Sequence, residues 1–232
     1  MPLALGGTDV LRKASCGACA KVTAEVERRV LHVSWKGFRW VTGMPTRHKK
    51  RMPKTMPAAV RRGEEWIEVE LPMAMYTGVA GFPVFREPGV FHRGQGSALQ
   101  WGSVRAISGT PGGADPHETP ATRAGVRNYR APVLYDAEAI ARMVAKIAHG
   151  YAVDFFGLDA FEPFLQSAIL GLTDDIGRWV GTPGGSLFAE PAARGHRFRV
   201  GTFEDTTLII AGVHLFADAG TPEYLAVVGQ LF

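Results

Sequence analysis

The sequence predicts an α+β fold in which helices pack on an antiparallel sheet. Three observations predict it. Residues 137–157 (AEAIARMVAKIAHGYAVDFFG) carry apolar side chains at helical spacing behind a capping aspartate. Three strand-like runs close the chain: His196 to Val200, Thr206 to Phe216 and Tyr224 to Val228. Trp66 to Leu71 (WIEVEL) alternates apolar and acidic residues with the period of a strand that has one wet face.

With 232 residues, 46% of them apolar, the chain is long enough for a sizeable core in one or two domains. No apolar run approaches the ~20 residues that span a bilayer. Met1 to Leu5 is short and is interrupted by Gly6-Gly7, so no secretory signal pattern is present and a cytoplasmic location is expected. The formal net charge of +4 is unevenly spread. Residues 1–62 hold 14 Lys/Arg against 3 Asp/Glu, and residues 63–232 hold 12 against 19. A basic N-terminal part on an acidic remainder is the electrostatic footprint of phosphate binding by one region only.

Taken in order, the first element is a helix from Cys19. Val22, Val26, Val30 and Val33 share one face, with Lys21, Glu25, Arg28 and Arg29 outside it. Glu25 and Arg29 stand four apart and can pair across a turn. Trp35 to Trp40 (WKGFRW) is aromatic and basic, and reads either as a base-stacking platform or as core and lid residues at a helix end. Next comes a basic run containing Arg47, His48, Lys49, Lys50, Arg51, Lys54, Arg61 and Arg62. Pro45, Pro53 and Pro57 forbid a continuous helix there, so it is expected to be an extended strap entering a strand at Ala58 to Val60. Arg47, Lys49, Lys50, Arg51, Lys54, Arg61 and Arg62 are the candidates for contacting a nucleic-acid backbone without reading its sequence.

Arg61 to Glu64 reads as a hairpin turn into Trp66 to Leu71, with Ile67, Val69 and Leu71 on one face and Glu68 and Glu70 on the solvated one. From Phe82 to Pro132 the chain is rich in Gly and Pro, and Ser108 to Pro116 (SGTPGGADP) is expected to be a loop. A boundary is placed at 108–130. His92 and His117 fall in loops with no donor at ligand spacing.

Asp136 is the expected N-cap of the long helix, Ile140, Met143, Val144, Ile147 and Tyr151 its buried stripe, and Gly157 its end. Lys146 and His149 lie within one turn, which suits an acid/base pair or, more simply, a snorkelling lysine beside a surface histidine. Leu158 to Leu172 reads as a second helix with Phe161, Leu165, Ala168 and Ile169 inward, and Asp174-Asp175 as the start of a third toward Val180. Ala219 to Pro222 is a turn between the last two strands. Residues 131–232 show no nucleophile elbow, no HExxH and no internal repeat.

The chain has two cysteines, Cys16 and Cys19. Two residues apart in a reducing compartment, they point to metal or redox chemistry rather than to a disulfide framework. The segments around them, Pro2 to Gly7 (PLALGG), Ala14 to Cys19 (ASCGAC) and Lys21 to Glu25 (KVTAE), resemble the HNH endonuclease family, and the likeness continues more loosely to about Gly94. It implies a partial ββα-metal finger at the N-terminus, with Cys16 and Cys19 as half of a structural zinc site. The family pattern implies that the histidine base and the other cysteine pair lie upstream of Pro2, and that a divalent metal such as magnesium serves the chemistry in an active member. DNA is the implied partner.

The organisation expected is therefore a partial HNH-like basic segment over 1–62, a strand-rich connection over 63–107, a loop over 108–130 and an α+β domain over 131–232. Two alternatives stand beside it. One is a non-enzymatic remnant binding nucleic acid or protein, its cysteines either free of metal or sharing zinc between two copies of the chain as a homodimer. The other is a Cys-x-x-Cys redox protein.

Overall fold

The computed structural model describes Leu5 and residues 15–45, 52–92, 98–111, 129–130, 133–188 and 195–232. Its centre is a 20-residue helix, which we designate α3 once two shorter helices, α1 (Gly17–Arg28) and α2 (Lys36–Val41), are counted before it; α3 runs Ala137–Phe156. The Asp136 carboxylate accepts the Ala139 N–H at 3.0 Å, satisfying a donor that the first helical turn leaves without a partner. Gly157, at φ +96°, turns the chain away with its N–H on the Val153 carbonyl, a conformation that a side chain would oppose. Ile140, Met143, Val144 and Ile147 are buried as the periodicity predicts, and Tyr151 lies stacked on Phe198 with ring centroids 4.5 Å apart.

α3 packs on a sheet built by the end of the chain. Its strands are β8 (Arg197–Thr202), β9 (Leu208–His214) and β10 (Glu223–Leu231), all antiparallel, numbered after seven shorter or earlier strands. Leu208 to Ile210 is nonpolar throughout because helix covers one side and loop the other: Ile209 is sealed, and Gly212 lies against Leu187 and Phe188. The far edge of β10 is shared by β6 (Phe161–Pro163) and β7 (Val180–Gly181). The expected helix over 158–172 is thus corrected. Phe161 to Pro163 is a strand on β10, and only Gln166–Leu170 is helical, as α4. Pro163, which cannot sit in a helix interior, marks the break. Phe161, Leu165, Ala168 and Ile169 are nevertheless all buried. A four-residue helix α5 (Ile176–Trp179) follows.

At the other end, α1 continues without interruption into a π-helical turn over Arg29–Ser34, marked by the Trp35 N–H bonding the Val30 carbonyl five residues back. The wider turn rotates everything after it, which corrects the expected apolar face. Val26 and Val30 are buried, but Val22 and Val33 are 38% and 45% exposed, and Leu31, Ser34 and Trp35 take the inner positions. The expected Glu25–Arg29 pair is replaced by Glu25–Arg28 at 2.6 Å and by Arg29–Asp136 at 2.6 Å. With Glu27–Lys146, the latter clamps α1 and its π turn to α3. The WKGFRW stretch belongs to the core. The Trp35 indole is fully buried and donates to the Gly81 carbonyl at 3.0 Å, 4.5 Å from the Phe82 ring, and Phe38 is buried beside them.

Between these ends lie two hairpins. β1 (Thr55–Arg62) and β2 (Glu65–Pro72) pair along their whole length, and β5 (Tyr129–Arg130) adds to β1 at Ala59–Val60. β3 (Gly78–Phe85) pairs with β4 (Trp101–Gly109). Ser108 and Gly109, expected in a loop, finish β4, held there by Val79 and Gly78; residues 112–116 of that expected loop lie outside the described residues. α2 crosses β3 so closely that a Cβ on Gly78 would stand 2.5 Å from the Phe38 backbone. Segments 26–38, 80–107 and 137–228 contribute to one apolar core, while a smaller cluster of Val41, Met56, Ala58, Leu71 and Tyr76 lies under the β1–β2 hairpin.

Candidate functional site

Cys16 occupies the N-cap of α1, its sulfur accepting the Cys19 N–H at 3.4 Å. The N–H groups of Cys19 and Ala18 and the Cys19 thiol stabilise a thiolate there, and hold the Cys16 thiol below the ordinary range. Cys19 is pushed up, because its thiol donates to Cys16 and would otherwise place a second negative charge beside it. Both sulfurs are free thiols, Cys16 exposed and Cys19 half-exposed. Among the described residues no group of three His, Cys, Asp or Glu is placed to hold a metal ion. The chemistry of the pair fits a soft tetrahedral ion, and these two sulfurs provide two of its four ligands. Apart from Leu5, the residues 1–14 that would carry the earlier part of a ββα finger lie outside the described residues.

No described histidine stands near the sulfurs along the helix. His32 is in the π turn, sixteen residues beyond Cys16, on the order of 20 Å along the axis. His196 is consumed structurally: Nε2 donates to the Leu5 carbonyl at 3.0 Å and Nδ1 accepts the Phe216 N–H at 3.1 Å. Burial holds its imidazole below the ordinary range, with the Leu5 carbonyl and Asp218 opposing. His214 donates Nε2–H to the Thr221 carbonyl at 2.9 Å. His92, expected without a partner, lies 2.9 Å from Glu87. His117 lies outside the described residues. Lys146 and His149 do not form an acid/base pair: Lys146 holds Glu27, and the partly buried His149 faces the Phe161 ring, its imidazole also lowered by burial.

Of the basic candidates, Arg47, Lys49, Lys50 and Arg51 lie outside the described residues, and Lys54, Arg61 and Arg62 are exposed. The hairpin separates these three. Lys54 precedes β1, while Arg61 and Arg62 end it, roughly 23 Å away at strand spacing. Arg61 faces Trp66 across the ladder and donates to the Gly63 carbonyl at 3.1 Å; Arg62 faces Glu65. On the same face as Arg61, Arg130 from β5 lies over the Trp66 ring at 3.9 Å. The turn end of the hairpin therefore gathers Arg61, Arg62, Arg130 and a 38%-exposed Trp66, and beyond them Glu68 and Glu70 stand opposite Ala59 and Pro57. Arg130 is invisible to sequence inspection, since it joins the group only through pairing with Ala59, about seventy residues earlier.

Arg39 was equally hidden. It is 3% exposed and donates to the carbonyls of Leu31 (2.9 Å) and Pro45 (3.0 Å), pinning the last described residue before the basic run. Burial lowers its pKa. No described helix is long and apolar enough to cross a membrane. No protein-family model, curated protein or solved structure matches the chain.

Proposed function

We propose that the chain contacts nucleic acid through its basic N-terminal part, and that Cys16 and Cys19 form one half of a structural zinc site of the kind found in the HNH endonucleases their segment resembles. The observation that carries the contact is the gathering of Arg61, Arg62 and Arg130 around an exposed Trp66 at the turn of the β1–β2 hairpin. Guanidiniums there meet phosphate oxygens, and an indole edge or face is open to an unpaired base. The half-site is supported by the N–H groups already aimed at Cys16, which stabilise a thiolate before any ion arrives. A second Cys-x-x-Cys pair completes four sulfurs, and zinc then supplies rigidity rather than a reaction step. The activity proposed is contact rather than cleavage, because the described residues place no base beside the cysteines.

The test is binding of fluorescent single- and double-stranded DNA over a salt series, with supercoiled plasmid and magnesium as a cleavage arm. Affinity should fall steeply with salt, and an Arg61→Ala/Arg62→Ala double variant should flatten the log–log slope by about 2. An unchanged slope removes the hairpin turn from the interface, and magnesium-dependent nicking replaces contact with catalysis. Native mass with counted zinc tests the metal: one ion per two chains means the cysteine pairs of a homodimer share it.

A second reading has its own observation, the opposite displacement of the two thiol pKa values. In dithiol exchange the Cys16 thiolate attacks a substrate disulfide and forms a mixed disulfide, releasing one substrate thiol. The Cys19 thiolate then attacks Cys16, closing Cys16–Cys19 and releasing the second thiol. It requires Cys16 to alkylate with a lower pH midpoint than Cys19, and a Cys19→Ser variant to trap the mixed disulfide.

A further inference from the structure

At the opposite end of α1 from the cysteines lies a cleft of about 890 Å3, where the π turn, the approach to α3, the start of β4 and the α4–α5 region meet. Its rim collects Val33, Trp101, Leu134 and Tyr135, between 41% and 52% exposed. Four of the thirteen large apolar side chains left open among the described residues thus surround one cavity, where single scattered ones are the norm. Neither the Trp101 nor the Tyr135 ring stacks on another described aromatic. The wall holding Arg29, Val33 and Ser34 is the π-helical turn itself, a geometry poorer than the α-helix and concentrated at functional sites.

Charge decides what such a cleft accepts. Both guanidiniums on its walls are already committed. Arg29 places Nε and Nη2 on one oxygen of Asp136, at 2.8 and 2.6 Å. Arg142 donates Nε and Nη2 to the Ile169 carbonyl at 3.2 and 3.0 Å, and its Nη1 lies 3.4 Å from Glu138. The other Asp136 oxygen caps α3. What remains open is the rest of Glu138, whose side chain is 56% exposed, and Asp174, which makes no hydrogen bond or ion pair with any described residue. The cavity is aromatic at its rim and negative in its free charge, so a phosphate is repelled and a cation is attracted to both.

We infer that this cleft binds an organic cation carried on an apolar stem, a primary ammonium or a guanidinium. The charge lies between Glu138 and Asp174, and the stem lies along Trp101 and Tyr135. A free polyamine and the Lys or Arg side chain of a protein share this chemistry. The inference is independent of the nucleic-acid interface, which lies on the β1–β2 turn.

The test is a titration of isotope-labelled protein, following the Trp101 indole N–H resonance (assigned with Trp101→Phe). The probes are spermidine, an acetylated and amidated Gly-Arg-Gly peptide, and AMP as an anionic aromatic control. A saturating shift of Trp101 with spermidine or the peptide is expected, and the tighter of the two identifies the source. A Glu138→Gln/Asp174→Asn variant should bind at least about tenfold more weakly. Both side chains are solvent-facing, and the spectrum reports directly that this variant is folded. Shifts that stay linear to about 10 mM, equal affinity in the double variant, or tighter binding of AMP each overturn the inference. Arg61→Ala/Arg62→Ala should leave cleft binding unchanged, so failure here and failure of DNA contact are told apart.

Discussion

Around α3, Ile140, Met143 and Val144 are wholly sealed from solvent, whereas on β2 Leu71 is buried and Trp66 and Ile67 stand more than a third exposed. The two regions are held by different means. α3 is wrapped by the C-terminal sheet, by α1 and by α4, and its apolar residues belong to the larger core. The β1–β2 hairpin rests on five buried side chains, and α1 is fastened to α3 by the Glu27–Lys146 and Arg29–Asp136 pairs as well as by Val26 and Val30. The exposed thiols, the Arg61–Arg62–Arg130 group and Trp66 all lie on the thinly fastened side. Reactive and binding groups need access, and access is incompatible with the close packing that makes α3 rigid.

The largest expected effect tests that division directly. Met143→Ala should cost about 2–5 kcal/mol, because a sealed side chain leaves a cavity its neighbours cannot fill. Urea unfolding followed by circular dichroism and by tryptophan fluorescence should shift together. Met56→Ala, in the small cluster, should cost only about 1 kcal/mol and should loosen amide protection in β1 and β2 while sparing α3. Equal losses, or loss of α3 protection in Met56→Ala, would break the comparison and make the molecule one cooperative unit.

Next in size is Trp35→Phe. Trp35 sits where the π turn meets α2, fully buried, with its indole on the Gly81 carbonyl of β3 and its ring beside Phe82 and Phe216. Phenylalanine keeps most of the ring contact and leaves that carbonyl without its donor, a loss of about 1–3 kcal/mol. The midpoint of chemical unfolding measures it. A change within error would mean that a water or a shift of β3 replaces the indole, and that the π turn is not anchored through this bond.

Much of the C-terminal half was legible because its signals are local. Asp136 precedes an apolar stripe and Gly157 follows it, and β8, β9 and β10 read directly from their β-branched runs. Local signals failed where a distant partner decides the structure. Phe161 to Pro163 is apolar enough for a helix, but the free edge of β10 takes it as a strand. Ser108-Gly109 looks like a loop until β3 pairs with it. Val22 and Val33 fit a 3.6-residue period that the π turn interrupts, and no residue type announces that turn. At the sites, the Cys16–Cys19 spacing was readable because both residues lie on one helix turn. Arg130 and the cleft side chains Trp101 and Tyr135 were not, since pairing and packing between distant segments bring them into place.

The smallest expected effect is the sharpest probe of the fastening of α1. Lys146 Nζ lies 2.5 Å from Glu27, with side chains 38% and 23% exposed, so water screens the pair and its removal should cost no more than about 1 kcal/mol. Lys146→Met keeps the apolar stem that lies along α3 and deletes only the charge. Since 1 kcal/mol is about a fivefold change in an opening equilibrium, α1 amides should exchange up to about five times faster while α3 amides keep their rates. Glu27→Gln should do the same, and the double variant should add little, because each single change already breaks the one contact. If α3 accelerates equally, α1 is not a separately opening element. The exposed position of Cys16 would then be a property of the whole fold rather than of a hinged N-terminal helix.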